Sequence, residues 1–210
     1  SLKSLLLYPY IIPAVITAIG WSILANPSAG LLKGILPSIN IYTLGGIVFV
    51  ETLCWYTFVM LNVGHLLENI DGSLEESARV CGASPLRIFF TITLPLLRPT
   101  LVGSAILVFL CTVSSFAVPA LLGGPGKVYV LTTKIYQWIK VGTPEAVLKG
   151  MTLSLPIILI AFILQFISDK WLTQKGFATL SGKSSRKLEI HLRRWRTPIT
   201  TGFVLILFFT

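Results

Sequence analysis

Long runs of apolar residues alternate with short polar connections along most of this chain. Four runs, at about 5–25, 44–67, 100–122 and 151–171, predict membrane-spanning helices, because a helix needs roughly 20 apolar residues to cross a bilayer. A fifth apolar run, at 198–210, is shorter and predicts the start of a further helix. Between the third and fourth runs we predict a long connection, whose tyrosines and tryptophan are typical of a membrane–water boundary.

The composition supports this interpretation. Hydrophobic residues make up 54% of the 210 residues and charged residues only 12%, with a mean hydropathy of +0.82. Soluble domains carry about 25% charged residues, so we predict an all-α, polytopic helical membrane protein. The three cysteines form no CxxC motif and no Cys/His cluster. They therefore predict neither a disulfide framework nor a metal site, and no pattern predicts a bound cofactor.

The net charge of +9 could suit a nucleic-acid partner, but its distribution favours a membrane protein. Eight of the seventeen lysines and arginines fall between Lys170 and Arg196, beside apolar runs. Cytoplasmic loops are enriched in these residues. We therefore predict that the N-terminus, a polar stretch at about 68–98 and a basic linker at 173–197 face the cytoplasm. With Lys170, which lies just before the linker, this places twelve basic residues inside and five outside.

The polar stretch at 68–98, hereafter the elbow, has the signals of two short helices. Ser73 and Glu76 have the spacing of a capping box, which satisfies free amides where a helix begins. Gly82 fits the left-handed position that ends a helix. From these local rules alone, the elbow could also be an amphipathic loop that lies on the lipid surface.

The second short helix is predicted to begin just after Gly82. Ser84 is a candidate N-cap, and Pro85 suits the first helical position, where its missing amide costs no hydrogen bond. Pro95 is expected to stop this helix. Its large apolar side chains are expected to pack on the membrane domain: Leu86, Phe89 and Phe90.

The elbow resembles the EAA motif of permease subunits of binding-protein-dependent ABC importers. That motif reads E-A-A-x3-G-x9-I-x-L-P. The matching positions in this chain are Glu76, Ser77, Ala78, Gly82, Ile92, Leu94 and Pro95. Only Ser77 departs from the pattern, and serine is as small as the alanine that it replaces.

The resemblance implies a MetI-like permease fold, of which residues 1–172 would be the C-terminal part, with four spanning helices. In that family a coupling helix in the elbow docks on a cytoplasmic ATPase subunit. Carried over to this chain, the docking residues are Glu75, Glu76, Ala78, Gly82, Ala83, Ser84 and Pro85. Implied partners are a dimer of ATPase subunits, an extracytoplasmic substrate-binding protein, a second permease half or subunit, and the lipid of a bacterial inner membrane.

The resemblance also implies a transport subunit rather than an enzyme, with ATP hydrolysis in a separate chain. The sequence GGPGKV invites a phosphate-loop interpretation, but the Walker pattern requires glycine at 121 and serine or threonine at 128. The chain has Leu121 and Val128 at these positions. A glycine-proline turn is the simpler interpretation.

The stretch at 114–136, SSFAVPALLGGPGKVYVLTTKIY, is similar to the corresponding part of iron(III)-type permeases. Those proteins often fuse two permease halves, and the basic linker at 173–197 followed by the apolar run at 198–210 resembles such a junction. Ferric iron is therefore the predicted cargo. Permeases for thiamine, polyamines, phosphonates and sugars share much of the architecture and remain alternatives.

Apart from Asp169 at the end of the fourth run, Glu51 is the one acidic residue inside a predicted spanning run. An ionisable residue there costs roughly 2.5 to 3.5 kcal/mol on insertion scales and is often functional. Glu51 is therefore a candidate for the substrate pathway, although it lies near the outer end of its run, where water is close. A secondary transporter and a membrane-embedded enzyme remain rival classes. An enzyme would need several convergent polar groups in its spans.

Overall fold

The structure is a computed structural model that describes residues 11–35 and 38–174. Every regular element within these ranges is helical. We number the helices α1 to α7 in chain order, with a short 3₁₀ turn at Leu31–Gly34 between α1 and α2. The helices are α1 (Ala14–Leu24), α2 (Leu44–Asn69), α3 (Gly72–Val80), α4 (Pro85–Ser114), α5 (Ala117–Gly126), α6 (Leu131–Val141) and α7 (Pro144–Gln174).

Three of the described helices, α2, α4 and α7, are long and apolar enough to cross a membrane, and α1 is a shorter apolar helix. Little of their surface is covered by the rest of the chain: only 6% of the most apolar part of α7 is buried. Large apolar side chains such as Leu155, Phe162 and Phe166 are exposed along it. Such a surface requires an apolar environment, which a bilayer provides.

The predicted helix at 44–67 is confirmed by α2. The prediction for the third run, 100–122, is wrong at both ends. Helix α4 begins at Pro85 and ends where Ser115 becomes extended, with ψ 136°, and α5 is a separate helix. The break has no glycine or proline to mark it, so the apolar run reads as continuous.

The connection predicted between the third and fourth runs is itself largely helical. It contains α6, which begins where the Thr133 hydroxyl accepts a hydrogen bond from the Val130 amide. The helix ends at Gly142, with φ 76°. Helix α7 then begins at Pro144, before the predicted residue 151. Lys149 lies 5.8 Å from the ring centre of Trp138, and this contact joins α6 to α7.

The buried core lies where α1, α2 and α5 meet. Trp21 packs edge-on against Phe49, with ring centres 4.7 Å apart, an arrangement that aromatic pairs favour. The fully or almost fully buried apolar side chains of this cluster are Ala18, Trp21, Ala25, Ile41, Ile47, Val50, Val118 and Leu122.

Two glycines allow the loop before α2 to enter this core. A Cβ atom on Gly46 would overlap the carbonyl oxygen of Ile41, and one on Gly126 would overlap that of Tyr42. The loop is held further by Tyr42, whose hydroxyl donates to the Ser22 carbonyl at 3.4 Å. The first part of the first predicted helix, the linker beyond residue 174 and the run at 198–210 lie outside the described residues.

Candidate functional site

The elbow begins at a cap that sequence analysis placed two residues too late. Helix α3 is capped by Asp71, whose carboxylate accepts a hydrogen bond from the Ser73 amide at 3.0 Å. Hydrogen bonds from the Ser73 backbone amide and then from its side chain hold the pKa of Asp71 below its ordinary value. The predicted capping box of Ser73 and Glu76 is therefore wrong. Aspartate at 71 is as good a cap as serine, and it comes first along the chain.

The end of α3 is as predicted. Gly82 has φ 83°, in the left-handed region. Its amide donates to the Arg79 carbonyl at 2.9 Å, and the Ala83 amide donates to the Ala78 carbonyl at 3.0 Å. These two bonds form a Schellman motif, which satisfies the carbonyls that the helix end would otherwise leave free.

The start of α4 is also as predicted, but its end is not. The Ser84 hydroxyl accepts from the Arg87 amide at 3.4 Å, and Pro85 occupies the first turn. Pro95 does not stop the helix, because a wide π-helical turn at Phe89–Thr93 precedes it. Local π geometry lets a helix continue past a proline that would break a regular α-helix. Helix α4 thus begins in the elbow and continues without a break as one of the three long apolar helices.

The wide turn changes which side chains of α4 are buried. Ile88, Thr93 and Leu97 face inward, at spacings of five and then four residues. In a regular helix the position after Ile88 on this face would be Ile92. The extra residue puts a threonine there instead. The Thr93 hydroxyl donates to Oε1 of Glu75 at 2.9 Å. This Glu75–Thr93 hydrogen bond ties α3 to α4.

We expect Thr93→Val to loosen the elbow. Valine has the same shape but no hydroxyl, so the half-buried Glu75 carboxylate would lose a partner. It would keep Arg79, whose guanidinium lies 3.7 Å away. Leaving a buried polar group unpaired costs about 1 to 3 kcal/mol. Hydrogen–deuterium exchange should be faster across 72–80.

The matched control is Thr91→Val. Thr91 is exposed, and its hydroxyl donates to the Arg87 carbonyl within its own helix. This substitution removes a threonine hydroxyl from the same turn without touching α3. Equal exchange rates in both variants and in the unaltered protein would contradict the role assigned to the Glu75–Thr93 hydrogen bond.

The elbow exposes apolar side chains that were expected to be buried. Leu86 is 73% exposed and Phe90 is 60% exposed, and Phe89 is also exposed. The inward positions of α4 are taken by Ile88 and Thr93, so the prediction that these three side chains pack on the membrane domain is wrong. Val80, at the end of α3, is 89% exposed. The rest of the described chain therefore leaves these apolar side chains of the elbow uncovered.

The structure divides the seven predicted docking residues into two groups. Glu76, Gly82, Ser84 and Pro85 are exposed. The other three are half-buried, with Glu75 turned toward Thr93: Glu75, Ala78 and Ala83. The seven residues run from the last two turns of α3, through the turn at 81–84, to the first residue of α4.

Glu51 lies two turns into α2 and is almost completely buried, at 4% exposure. The Trp55 indole nitrogen donates to its Oε2 at 3.2 Å, and the Ser115 side chain lies beside the carboxyl group. Within the described residues, Oε1 accepts no hydrogen bond. The contact between Glu51 and Trp55 could have been predicted from the sequence, because residues four apart lie on the same face of a helix. The contact with Ser115, which is remote in sequence, could not.

A cavity of about 370 Å³ opens beside Glu51, between α2, α4, α5 and α6. It lies at the end of the bundle remote from the elbow. A second cavity, of about 560 Å³, follows α2 from Thr52 to Leu67. Thr52 and Val108 line both cavities, so one face of α2 fronts adjoining spaces along most of its length. Among the described residues, no cluster of His, Cys, Asp and Glu is placed to hold a metal ion.

A family model described as "Binding-protein-dependent transport system inner membrane component" matches residues 2–174. The chain belongs to this family. The match covers α1 to α7 together with the elbow, so the whole described structure is that of an inner-membrane component of this family, with its helical permease fold.

Relatives within the family transport different substances. The chain is 28% identical over 146 residues to the ferric transport system permease protein FbpB of Actinobacillus pleuropneumoniae, covering 70% of this chain and 21% of that protein. It is 30% identical over 89 residues to the putrescine transport system permease protein PotI of Escherichia coli, covering 42% and 31%. The chain thus spans a fifth to a third of the length of these relatives.

The MetNI methionine ABC transporter, solved in inward-facing conformations, contains a chain with the same fold. The TM-score is 0.58 at 23% identity, over 81% of this chain and 72% of that one. At this identity the likeness shows the fold alone. It confirms the predicted all-α, MetI-like fold class.

Proposed function

We propose that the chain is part of the permease of an ABC importer, and that separate cytoplasmic ATPase subunits drive it through the elbow. The observation that carries this proposal is the construction of the elbow. Two capped helices meet at a Schellman turn, one of them is continuous with a spanning helix, and large apolar side chains point outward. A surface loop with no partner needs none of these features.

The elbow has the stiffness that a lever requires. Helix α4 is 30 residues long, or about 45 Å at 1.5 Å per residue. The Glu75–Thr93 hydrogen bond fixes α3 to its base. When two ATPase subunits close on ATP, a displacement of the elbow would therefore reach the membrane instead of being absorbed. Such rigid-body movement can alternate a pathway between inside-open and outside-open states.

The proposed docking surface is the exposed corner of the elbow. Small residues at Gly82 and Ala83 let a partner approach the backbone closely, and Val80 and Leu86 offer apolar contact area on either side. Glu76 adds an exposed carboxylate for a basic residue of the partner. The full set of proposed contacts is Glu75, Glu76, Ala78, Gly82, Ala83, Ser84 and Pro85.

We propose ferric iron as the cargo, delivered by an extracytoplasmic binding protein and passed through a pathway that a second permease half or subunit completes. Similarity to FbpB over 70% of the chain supports this choice. Similarity to the putrescine permease keeps a polyamine as the principal alternative. Uptake of labelled iron, putrescine and thiamine by cells with and without the complete transporter would separate these cargoes.

The proposal requires the elbow to face the cytoplasm, and Cys81 reports on this. Cys81 is exposed at the end of α3. We expect a membrane-impermeant maleimide to leave Cys81 unmodified in intact cells and to modify it in inside-out vesicles. Bound ATPase subunits should slow the modification at least fivefold.

The control for this labelling is Cys81→Ser, which leaves the half-buried Cys54 and Cys111 in place and gives their background. Rapid modification of Cys81 in intact cells would place the elbow outside and end the ATPase-docking proposal. Modification in vesicles at the same rate with and without ATPase would show that the subunits do not cover the corner.

A further inference from the structure

The link between α4 and α5, residues 115–116, is held by a side chain from another helix. Ser115 is extended, and the chain passes there from α4 into α5. Such a break frees backbone groups that a continuous helix would pair, and within a membrane these groups need partners in the protein. The Ser115 carbonyl oxygen accepts a hydrogen bond from the Thr132 hydroxyl at 2.8 Å. Thr132 belongs to α6, so this hydrogen bond joins the end of α4 to α6.

A ring contact connects the same two segments. The Phe116 and Tyr136 ring centres are 5.0 Å apart, in an edge-on arrangement that aromatic pairs favour. Thr132 and Tyr136 are four residues apart and therefore lie on one face of α6. On α2, the Glu51 carboxyl group lies beside the Ser115 side chain, so α2 and α6 both meet the link. We call the hydrogen bond and the ring contact between the link and α6 the latch.

The remaining packing of α6 is mainly with α7. Gly150 of α7 is buried, and a Cβ atom there would lie 3.0 Å from the Ile139 side chain of α6, so these two helices are in close contact. Helix α5 packs instead on α1 and α2. Helix α4 runs between the two groups and packs on both α2 and α7. The latch is therefore a second attachment of α6, which ties it to the end of α4 remote from the elbow.

The start of α6 also forms part of the wall of the cavity of about 370 Å³. Val130 and Leu131 line this cavity, directly before the latch residue Thr132. The last turn of α4 lines it as well, through Thr112 and Val113. A shift of α6 relative to α2 and α5 would therefore change the width of the cavity.

We propose that the latch makes α6 follow the end of α4, so that a displacement of the elbow moves the wall of this cavity. Thr132 and Tyr136 are then positioning residues of the transport cycle. The inference rests on the proposed transport function and deepens it, because it names the element that the lever moves at its far end. Helix α4 begins in the elbow and ends at Ser114, directly before the latch, so the two ends of the lever are fastened to different partners.

The test measures the distance between α6 and α5 by pulsed electron paramagnetic resonance, in the purified transporter with its ATPase subunits. Spin labels are attached to cysteines at the exposed positions Lys140 of α6 and Gly124 of α5, after the three native cysteines are replaced by serine. We expect ATP to change this distance. Thr132→Val should reduce the change by at least half, because valine keeps the shape but not the hydroxyl. Thr132→Ser keeps the hydroxyl and should retain the change, which guards against a folding defect.

Thr133→Val is the matched control. The Thr133 hydroxyl accepts a hydrogen bond from the Val130 amide at 3.0 Å and donates to the Val130 carbonyl at 2.9 Å. This substitution removes a threonine hydroxyl from the same turn of α6 without touching the latch, and it should leave the distance change intact. An equal loss in both valine variants, or an undiminished change in Thr132→Val, would overturn the proposal.

Co-purification of the ATPase subunits and ATP hydrolysis are measured on the same samples. If the unaltered protein bound no ATPase subunits, the transport proposal would fail and the latch with it. If the complex formed and hydrolysed ATP but the distance between α6 and α5 did not change, the latch alone would be refuted.

Discussion

Gly82→Asp is expected to lower substrate uptake at least tenfold while the protein still inserts in the membrane at its normal level. Gly82 ends α3 in a left-handed conformation, and a Cβ atom there would meet only open space. Aspartate tolerates that conformation better than most residues. The turn would therefore persist, and the new side chain would project from the corner that we propose to contact the ATPase. Uptake by cells and co-purification of the ATPase subunits measure the two effects.

Companion substitutions separate docking from backbone conformation. Gly82→Ala adds little bulk but places a residue that avoids left-handed conformations, at a cost of about 1 kcal/mol. Gly82→Asn adds bulk and tolerates the conformation. If docking decides, Asn is as damaging as Asp and Ala is mild. If the turn alone decides, Ala is the worse of the two neutral changes, and the docking proposal fails.

Gly142→Asp is the matched control for the same experiment. Gly142 also ends a helix, has φ 76° and has open space around its Cβ position. It lies at the end of α6, outside the elbow. The same substitution there should leave uptake and co-purification nearly unchanged. A tenfold loss at both glycines would mean that aspartate disturbs helix ends in general.

Gly126→Ala is expected to prevent accumulation of folded protein. The added methyl group would overlap the Tyr42 carbonyl oxygen and press on the carbonyl carbon, at 2.8 Å. Both groups are backbone, so neither α5 nor the loop before α2 can yield by changing a rotamer. Overpacking of this kind costs about 3 kcal/mol. The apparent melting temperature of the detergent-solubilised protein and the yield of monodisperse protein should both fall.

Gly124→Ala provides the comparison, two residues away in the same helix. No atom lies within 4 Å of a Cβ atom at Gly124, and alanine favours helix more than glycine does. This variant should be as stable as the unaltered protein or slightly more so. Equal melting temperatures for the two alanine variants would show that α5 moves away from the loop at little cost, contrary to the packing described.

Sequence rules predicted the parts of the elbow that depend on near neighbours. Gly82 and Ser84 act through bonds to residues within five positions, so their roles can be read from spacing. The burial of Thr93 by the wide turn at Phe89–Thr93 could not be predicted in this way, since its partner Glu75 lies eighteen residues earlier in the chain. For the same reason the sequence did not indicate which residues of α4 face inward, and the predicted burial of Leu86 and Phe90 was wrong.

The candidate pathway residue illustrates the same division. Glu51 stood out in the sequence because an acid in an apolar run is expensive. Its cavity is formed by α2, α4, α5 and α6 together, and no local pattern indicates which walls meet. The end of α4 at Ser114 is likewise determined by tertiary packing and not by a local sequence signal. The apolar run continues through it, but α5 packs against α1 and α2 instead of extending α4.

The one extra residue in the wide turn of α4 determines the direction in which the preceding part of the elbow faces. Each residue of an α-helix turns the chain by about 100°, so the insertion rotates Pro85–Ile88 and α3 by roughly that angle about the helix axis relative to an uninterrupted helix. A related chain that lacked this residue could keep every side chain of the corner and still present them in a different direction. The direction in which the elbow presents its corner thus depends on the number of residues in α4 as well as on the residues of the corner itself.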